Sequence, residues 1–439
     1  MRRSLLTIVC MGVLLLIPHE PCFSADDVKT SGMELSEAID IAVQNYHSIR
    51  AAMENQLASR EERKSARADF LPKTSATYSY AGIKEKPFSK MGPTIVQTAD
   101  RNQFHWDISL IQPLFTGFAL SSKYNMTKLH SEIRDEEKRQ AVLDVARNVK
   151  NAYFNVLLSQ KMMAVADDEV AALTAQQGNA QKFFDQGLIP RNDLLRSQVA
   201  LANALQNREK ARADERLTIS QLNILLVREI DFPTVIRDIG TLPKDSYELS
   251  ALIAESMKQR PILHITRLGI ETLEKSVALA RSAYYPGISL VGRYEENGDK
   301  LATSNNDFNN RHNASVLIEA QWTFFEWGKT KADVAKAGHD KSALINRLKE
   351  IESGVKLEIK QALLASRVAR TNIETAKKAI EQAQENWRIT QLQYRQQMVT
   401  SSDVLDARSY LTQANSNYYR ALYGCLMSLA ELDRAVGRI

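Results

Sequence analysis

The sequence predicts a mostly α-helical chain that also carries transmembrane β-strands, folded as two copies of one pattern. Three observations predict it. Residues 184–198 answer residues 394–408 at an offset of 210. Four short stretches alternate apolar and polar residues with the period of a strand. Long proline-free stretches carry apolar residues at helical spacing. With 439 residues, 44% of them hydrophobic and 25% charged, the chain suffices for two or three ordinary domains, or for one large repeated one, and is not disordered.

The first 24 residues read as an export signal. Arg2 and Arg3 precede the apolar run Leu5 to Ile17, and Cys22-Phe23-Ser24 supplies small residues for cleavage near Ser24. Cleavage takes two arginines and one glutamate from 57 basic and 52 acidic residues, leaving a formal charge of +4. So even a balance argues against a nucleic-acid partner. Cys10 and Cys22 leave with the signal, so Cys425 remains alone and no disulfide stabilises the exported chain. His19-Glu20-Pro21 before Cys22 does not fit a lipoprotein signal. The remaining chain has no window of about 20 consecutive apolar residues, so it can enter a membrane only with strands.

The first repeat, residues 25–227, opens with a helix over 34–70, where Leu35, Ala38, Ile39, Ala42 and Ile49 share a side. Pro72 ends it. A β-hairpin over 74–113 follows, with Ala76, Tyr78 and Tyr80 alternating in its first strand and Phe104, Trp106, Ile108 and Leu110 in its second. Residues 82–103 between them read as a loop, and Pro113 and Gly117 end the second strand. A proline-free helix is then predicted over 118–186, roughly 100 Å long at 1.5 Å per residue. Gly187 and Pro190 break it, and another helix runs from 191 to about 227. A linker over 228–247 carries Pro233, Gly240 and Pro243.

The order then repeats over 248–439. Glu248-Leu249-Ser250 answers Glu34-Leu35-Ser36, and Pro286 answers Pro72, at an offset of 214. A second hairpin is predicted over 287–324. Beyond it the offset is 210: Phe325 answers Phe115, Asp403 answers Asp193, and Leu432 answers Leu222. Coincident proline, aromatic and aspartate positions mark a structural duplication.

Strands with one polar and one apolar, aromatic-tipped face suit a membrane barrel. Four cannot close one, since the smallest closed barrels need about eight, and open edges are not tolerated in lipid. Several chains must therefore contribute. The helices carry narrow apolar stripes such as Val142, Val145, Val149, Tyr153 and Val156, which suit side-by-side packing as in coiled coils. Trp106, Tyr78, Tyr80, Tyr294 and Trp322 are candidates for interfacial girdles. Chemistry is absent: no Gly-rich phosphate loop, no His and Cys cluster at metal spacing and no nucleophile elbow occurs, so neither an enzyme nor a cofactor is expected.

These residues resemble the TolC family of outer-membrane channel proteins, the exit ducts of Gram-negative efflux pumps and type I secretion systems. The resemblance rests on the doubled order, the Pro72 and Pro286 junctions, the Phe115-Thr116-Gly117 and Phe325-Glu326-Trp327-Gly328 junctions, and the paired tips Gly187-Leu188 and Asp403-Val404-Leu405-Asp406-Ala407. It implies a homotrimer whose twelve-stranded barrel, four strands per protomer, lies in outer-membrane lipid and continues into a helical tunnel through the periplasm. It implies that Asp403 and Asp406 ring the periplasmic constriction, with carboxyl pKa values raised by mutual repulsion, and that Tyr394 and Asp193 take part in links that hold the entrance closed. The arginine of those links is replaced by Val399. Gly187 and Leu188, with Met398 on the second tip, match the site that meets a periplasmic adaptor, or membrane fusion protein. An inner-membrane transporter of RND, ABC or MFS type completes the implied assembly. The alternative is a periplasmic coiled-coil scaffold or adhesin-like assembly without a pore.

Overall fold

The computed structural model describes residues 32–239, 247–304, 306–308 and 310–439. The signal segment and residues 240–246 of the linker lie outside the described residues. Helices α1 (Leu35–Asn45) and α2 (His47–Ala68) lead into strand β1 (Lys73–Gly82). The short strands β2 (Phe88–Met91) and β3 (Thr94–Gln97) precede β4 (Asn102–Phe115), α3 (Ala119–Asp185) and α4 (Arg191–Leu225). Then come α5 (Leu249–Gln259), α6 (Pro261–Arg281), β5 (Gly287–Gly298), β6 (His312–Gln321), α7 (Lys329–Arg395) and α8 (Ser401–Val436). The long helices α3 and α7 are each 67 residues, which makes each about 100 Å long. Among the described residues, no helix is long and apolar enough to cross a membrane.

Three local expectations are corrected. The helix expected over 34–70 is two helices, because Tyr46 is extended (ψ 133°) between α1 and α2. Arg260 breaks α5 from α6 at the matching position, 214 residues on, and there Pro261 gives the cause: proline clashes with a helical residue before it. The 82–103 loop contains the β2–β3 hairpin, turned at Gly92 (φ 63°). Strand β4 passes Pro113 through a bulge and reaches Phe115, as proline is accommodated at bulges.

The four long strands form one antiparallel sheet in the order β1-β4-β5-β6, which leaves β1 and β6 as edges, and β2 pairs with β3 alone. Register puts Tyr78, Trp106 and Glu296 opposite one another, and likewise Ala76, Ile108, Tyr294 and Ala314, on one face. The other face carries Ser75 against Ser109 and Thr77 against Asp107 and Glu295. The first face is mainly apolar and aromatic, with Glu296 among its residues, and the second is mainly polar and charged, with Ile111, Val291 and Leu317 nearer the helices. Tyr80 and Phe104 (4.8 Å) and Trp106 and Tyr294 (5.6 Å) cluster at the end far from the helices, while Trp322 and Phe324 (6.2 Å) cluster at the near end. Ala314, opposite Tyr294, precedes Trp322 by eight residues, about 27 Å at 3.4 Å per residue. That separation matches an apolar band of about 25 Å flanked by aromatic girdles.

The helices form two stacked layers. Near the sheet α2, α3, α6 and α7 lie side by side, and beyond mid-height the order is α4, α3, α8, α7. Helix α3 is therefore interior and α7 an edge. The apolar core sits at mid-height, where Val149, Tyr153, Val156 and Leu157 of α3 meet Ala38 and Ala42 of α1, Leu222 of α4 and Tyr423 of α8. Burial pushes the Tyr153 phenol up to about 12. Its hydroxyl lies 2.8 Å from the Met33 carbonyl oxygen and 2.6 Å from that of Arg237, clamping the start of the described chain and the linker, which pair at Met33 and Ile236. An ionic network crosses the same level: Arg434 holds Asp144 (2.8 Å) and Glu358 (2.6 Å), and Glu358 also holds Arg260.

Candidate functional site at the helix tips

The end of the molecule farthest from the sheet consists of two helical turns. The α3–α4 turn closes on Gly187, whose φ of 72° lies in the left-handed region where a side chain costs about 1–2 kcal/mol. The Gly187 N–H donates to Phe184 O and the Leu188 N–H to Phe183 O, both at 2.8 Å. The α7–α8 turn has the same hydrogen bonds at equivalent positions, Gln397 to Tyr394 O and Met398 to Gln393 O. Here Gln397 takes the left-handed conformation, with φ 62°. Leu188 and Met398 are both exposed, side chains outward.

Both following helices carry aspartate at their third residue, Asp193 in α4 and Asp403 in α8. Their surroundings differ. Pro190 precedes α4 and supplies no capping side chain. Thr400 precedes α8 and forms a capping box, in which Asp403 Oδ2 accepts from the Thr400 N–H (2.8 Å) and hydroxyl (2.7 Å). Those bonds hold the Asp403 carboxyl below the ordinary aspartate range. Within the protomer the direction is thus opposite to the repulsion-driven rise expected for this residue, because bonds to the charged form act here. Asp406 lies one turn on, beside Leu195, Arg196 and Val199 in a shallow groove of about 470 Å³ between α4 and α8.

Tyr394 is buried, 3% exposed, with its ring 5.5 Å from Phe183. Burial first, and the nearby Asp193 charge next among the influences that raise it, push its phenol upward, while Ser401 and Gln176 pull it down. The hydroxyl makes no hydrogen bond of normal geometry. Tyr394 and Asp193 are thus near each other but not joined within the protomer.

Two contacts at this end were not anticipated from the sequence. Ser197 and Ser401, both buried, share a 2.9 Å hydrogen bond between α4 and α8. Ser401 opens α8 whereas Ser197 is six residues into α4, so the second turn stands back by about 9 Å. Farther up, Arg408 is 4% exposed, bonds Asp168 of α3 at 2.6 Å and stacks 5.7 Å from the Trp387 ring centroid. An arginine directly after Val404 and Ala407, in the apolar stripe of α8, was the available signal. Among the described residues no group of His, Cys, Asp and Glu side chains could hold a metal ion.

Comparison with known proteins agrees with this architecture. The family model described as outer membrane efflux protein matches residues 38–226 and 252–438. The chain is 24% identical over 345 residues to the alkaline protease secretion protein AprF of Pseudomonas aeruginosa, covering 75% of this chain and 67% of that one. It is 19% identical over 418 residues to the toluene efflux pump outer membrane protein TtgC of Pseudomonas putida, covering 92% and 82%. The fold is similar to that of the CmeC outer membrane channel of Campylobacter jejuni, with a TM-score of 0.79 at 17% identity over 92% of this chain and 85% of that one. The chain belongs to the outer membrane efflux protein family, channel proteins of the Gram-negative outer membrane that extend into the periplasm.

Proposed function

We propose that three copies of this outer-membrane channel protein close into a twelve-stranded barrel and a helical tunnel, forming the passive exit duct of an efflux pump or a type I secretion system. The observation that carries the reading is a matched set of open edges. Strands β1 and β6 lack outer partners, which lipid does not tolerate. The edge helices bear exposed apolar side chains on both sides: Met53 and Leu57 of α2 and Leu217 of α4 on one, Leu364 and Val368 of α7 on the other. Docking α7 of one copy against α2 and α4 of the next covers both sets, and three-fold repetition closes the ring.

In that ring the polar sheet face lines the lumen and the apolar face meets lipid. Asp403 and Asp406 ring the far end as the constriction. Three copies of both carboxylates favour cations and repel anions. Tyr394 and Asp193 act in holding the entrance closed. In place of the arginine that Val399 replaces, the Arg408–Asp168 pair holds α8 against α3. Gly187 and Leu188 form the tip an adaptor reaches first, and Met398, set back, offers a second contact. The adaptor is a periplasmic membrane fusion protein that couples the duct to an inner-membrane transporter of RND, ABC or MFS type, and the transporter selects the cargo.

Conductance in a planar bilayer tests this. The wild type is expected to give small, cation-selective channels. Asp403→Asn with Asp406→Asn removes the charge while the asparagine oxygen can still accept the capping bonds, so selectivity for cations should fall at least several-fold without loss of folding. A purified protein that gives no channels, with or without these substitutions, overturns the duct reading.

A further inference from the structure

We propose that a cleft at the end of the sheet farthest from the helices binds neutral saccharides. It lies between residues 98–103, leading into β4, and the β5–β6 connection, and encloses about 460 Å³, within the range of small-molecule sites. Side-chain amides line much of its wall, and three on the polar face of the sheet are held by one end. On the polar face of the sheet, Asn297 Oδ1 accepts from His105 Nδ1 at 2.8 Å. That amide therefore presents its N–H groups. Asn313 Nδ2 donates to Glu295 (3.2 Å) and Gln103 Nε2 to the Asp100 carbonyl oxygen (3.3 Å), so these two present carbonyl oxygens.

Fixed donors and acceptors in one cleft suit hydroxyl groups, which donate and accept at once. Phe308 adds an apolar face for the C–H side of a sugar ring. Charge excludes the anionic alternative. Among the described residues no lysine or arginine lines the cleft, and Glu295 and Asp299 on its wall would repel a phosphate or carboxylate. The third carboxylate, Asp100, is already paired with Lys86 at 2.8 Å.

The chemistry fits both a glycan of the cell surface and a free sugar, and the test separates them. The inference rests on the proposed orientation only for the side of the membrane the cleft faces. Conductance reads the duct and the titration below reads the cleft, so either can fail alone. The purified full-length protein, in a detergent without a sugar headgroup, is titrated with maltotriose and separately with polysaccharide released from lipopolysaccharide by mild acid, followed by saturation-transfer NMR. Saturable binding near about 1 mM is expected. Asn297→Ala with Asn313→Ala should weaken it at least tenfold with the sheet signal in circular dichroism intact, whereas Thr94→Ala, outside the cleft, should bind as the wild type does. Tighter binding of the released polysaccharide assigns a surface glycan, and tighter binding of maltotriose a free sugar. Absence of saturable binding, indifference to the double substitution, or displacement by calcium ion or inorganic phosphate overturns the proposal.

Discussion

Phe154 on α3 and Leu364 on α7 stand at equivalent positions, 210 residues apart, yet Phe154 is 4% exposed and Leu364 is 49% exposed. Three neighbouring pairs, Val145 and Val355, Val149 and Ile359, Tyr153 and Leu363, are buried in both halves. The two long helices thus share one core stripe and differ on a second face. That face of α3 is covered because α3 is interior, whereas α7 is an edge helix whose second apolar face has no partner in the protomer. A repeated sequence therefore gives two environments, and the uncovered face marks where a second copy docks.

The largest expected effect breaks this comparison directly. Val368→Asp on α7 places a carboxylate where a neighbour would cover it, and burying an unpaired charge costs several kcal/mol at each of three interfaces. Trimers recovered by cross-linking in mild detergent should disappear while the helical circular dichroism of the protomer persists. Trimers as abundant as those of the wild type would show that this face of α7 is not an interface.

A smaller effect sharpens the comparison at the tips. Gly187 and Gln397 are equivalent and both left-handed, but only one is glycine. Gln397→Gly should relieve about 1 kcal/mol, roughly a fivefold shift in the local opening equilibrium, and Gly187→Gln should cost about as much. Native-state hydrogen exchange of the amides in each turn measures both. Equal protection in both variants would mean that the surroundings, not the backbone, set the stability of the turns.

Much of this architecture could be read in the chain because its signals are local. Period-two alternation marks the four long strands, and proline-free stretches mark α3 and α7. The signals fail where a repeat keeps a shape but loses the residue that announces it. The break at Tyr46 has no proline, although its counterpart before Pro261 does. The two junctions into α3 and α7 each use consecutive left-handed residues, Gly117-Phe118 and Trp327-Gly328, with the glycine in opposite places. Gly117 is demanded by packing, since a Cβ there would lie 2.5 Å from the Ser282 carbonyl oxygen, while nothing crowds Gly328. At the tips, Thr400-x-x-Asp403 reads equally well as a helix cap and as a pore carboxylate, and only coordinates reveal that the cap is formed. Arg408 and Asp168 lie 240 residues apart, and no local pattern joins them.

That last pair has no counterpart in the other half, because Lys378 and Gln198 occupy the equivalent positions. It brings Glu169 with it, where the second half has Ala379. Burial raises the Glu169 pKa, against the opposing pull of Arg408 and with the help of Asp168. A carboxyl whose folded-state pKa exceeds its unfolded value is penalised when ionised, so the cost is full above the folded pKa and absent below the unfolded one. Stability attributable to this residue therefore rises as pH falls from 7 through the folded value toward the ordinary glutamate range. Glu169→Gln should stabilise the protein at pH 7 by roughly 0.5 kcal/mol, and the gain should shrink to nothing by about pH 4. Paired thermal melts of variant and wild type at the two pH values measure it. A gain that is the same at both would assign the effect to packing between α3 and α8 instead of charge, and would leave Asp168 as the only carboxylate that matters to the buried arginine.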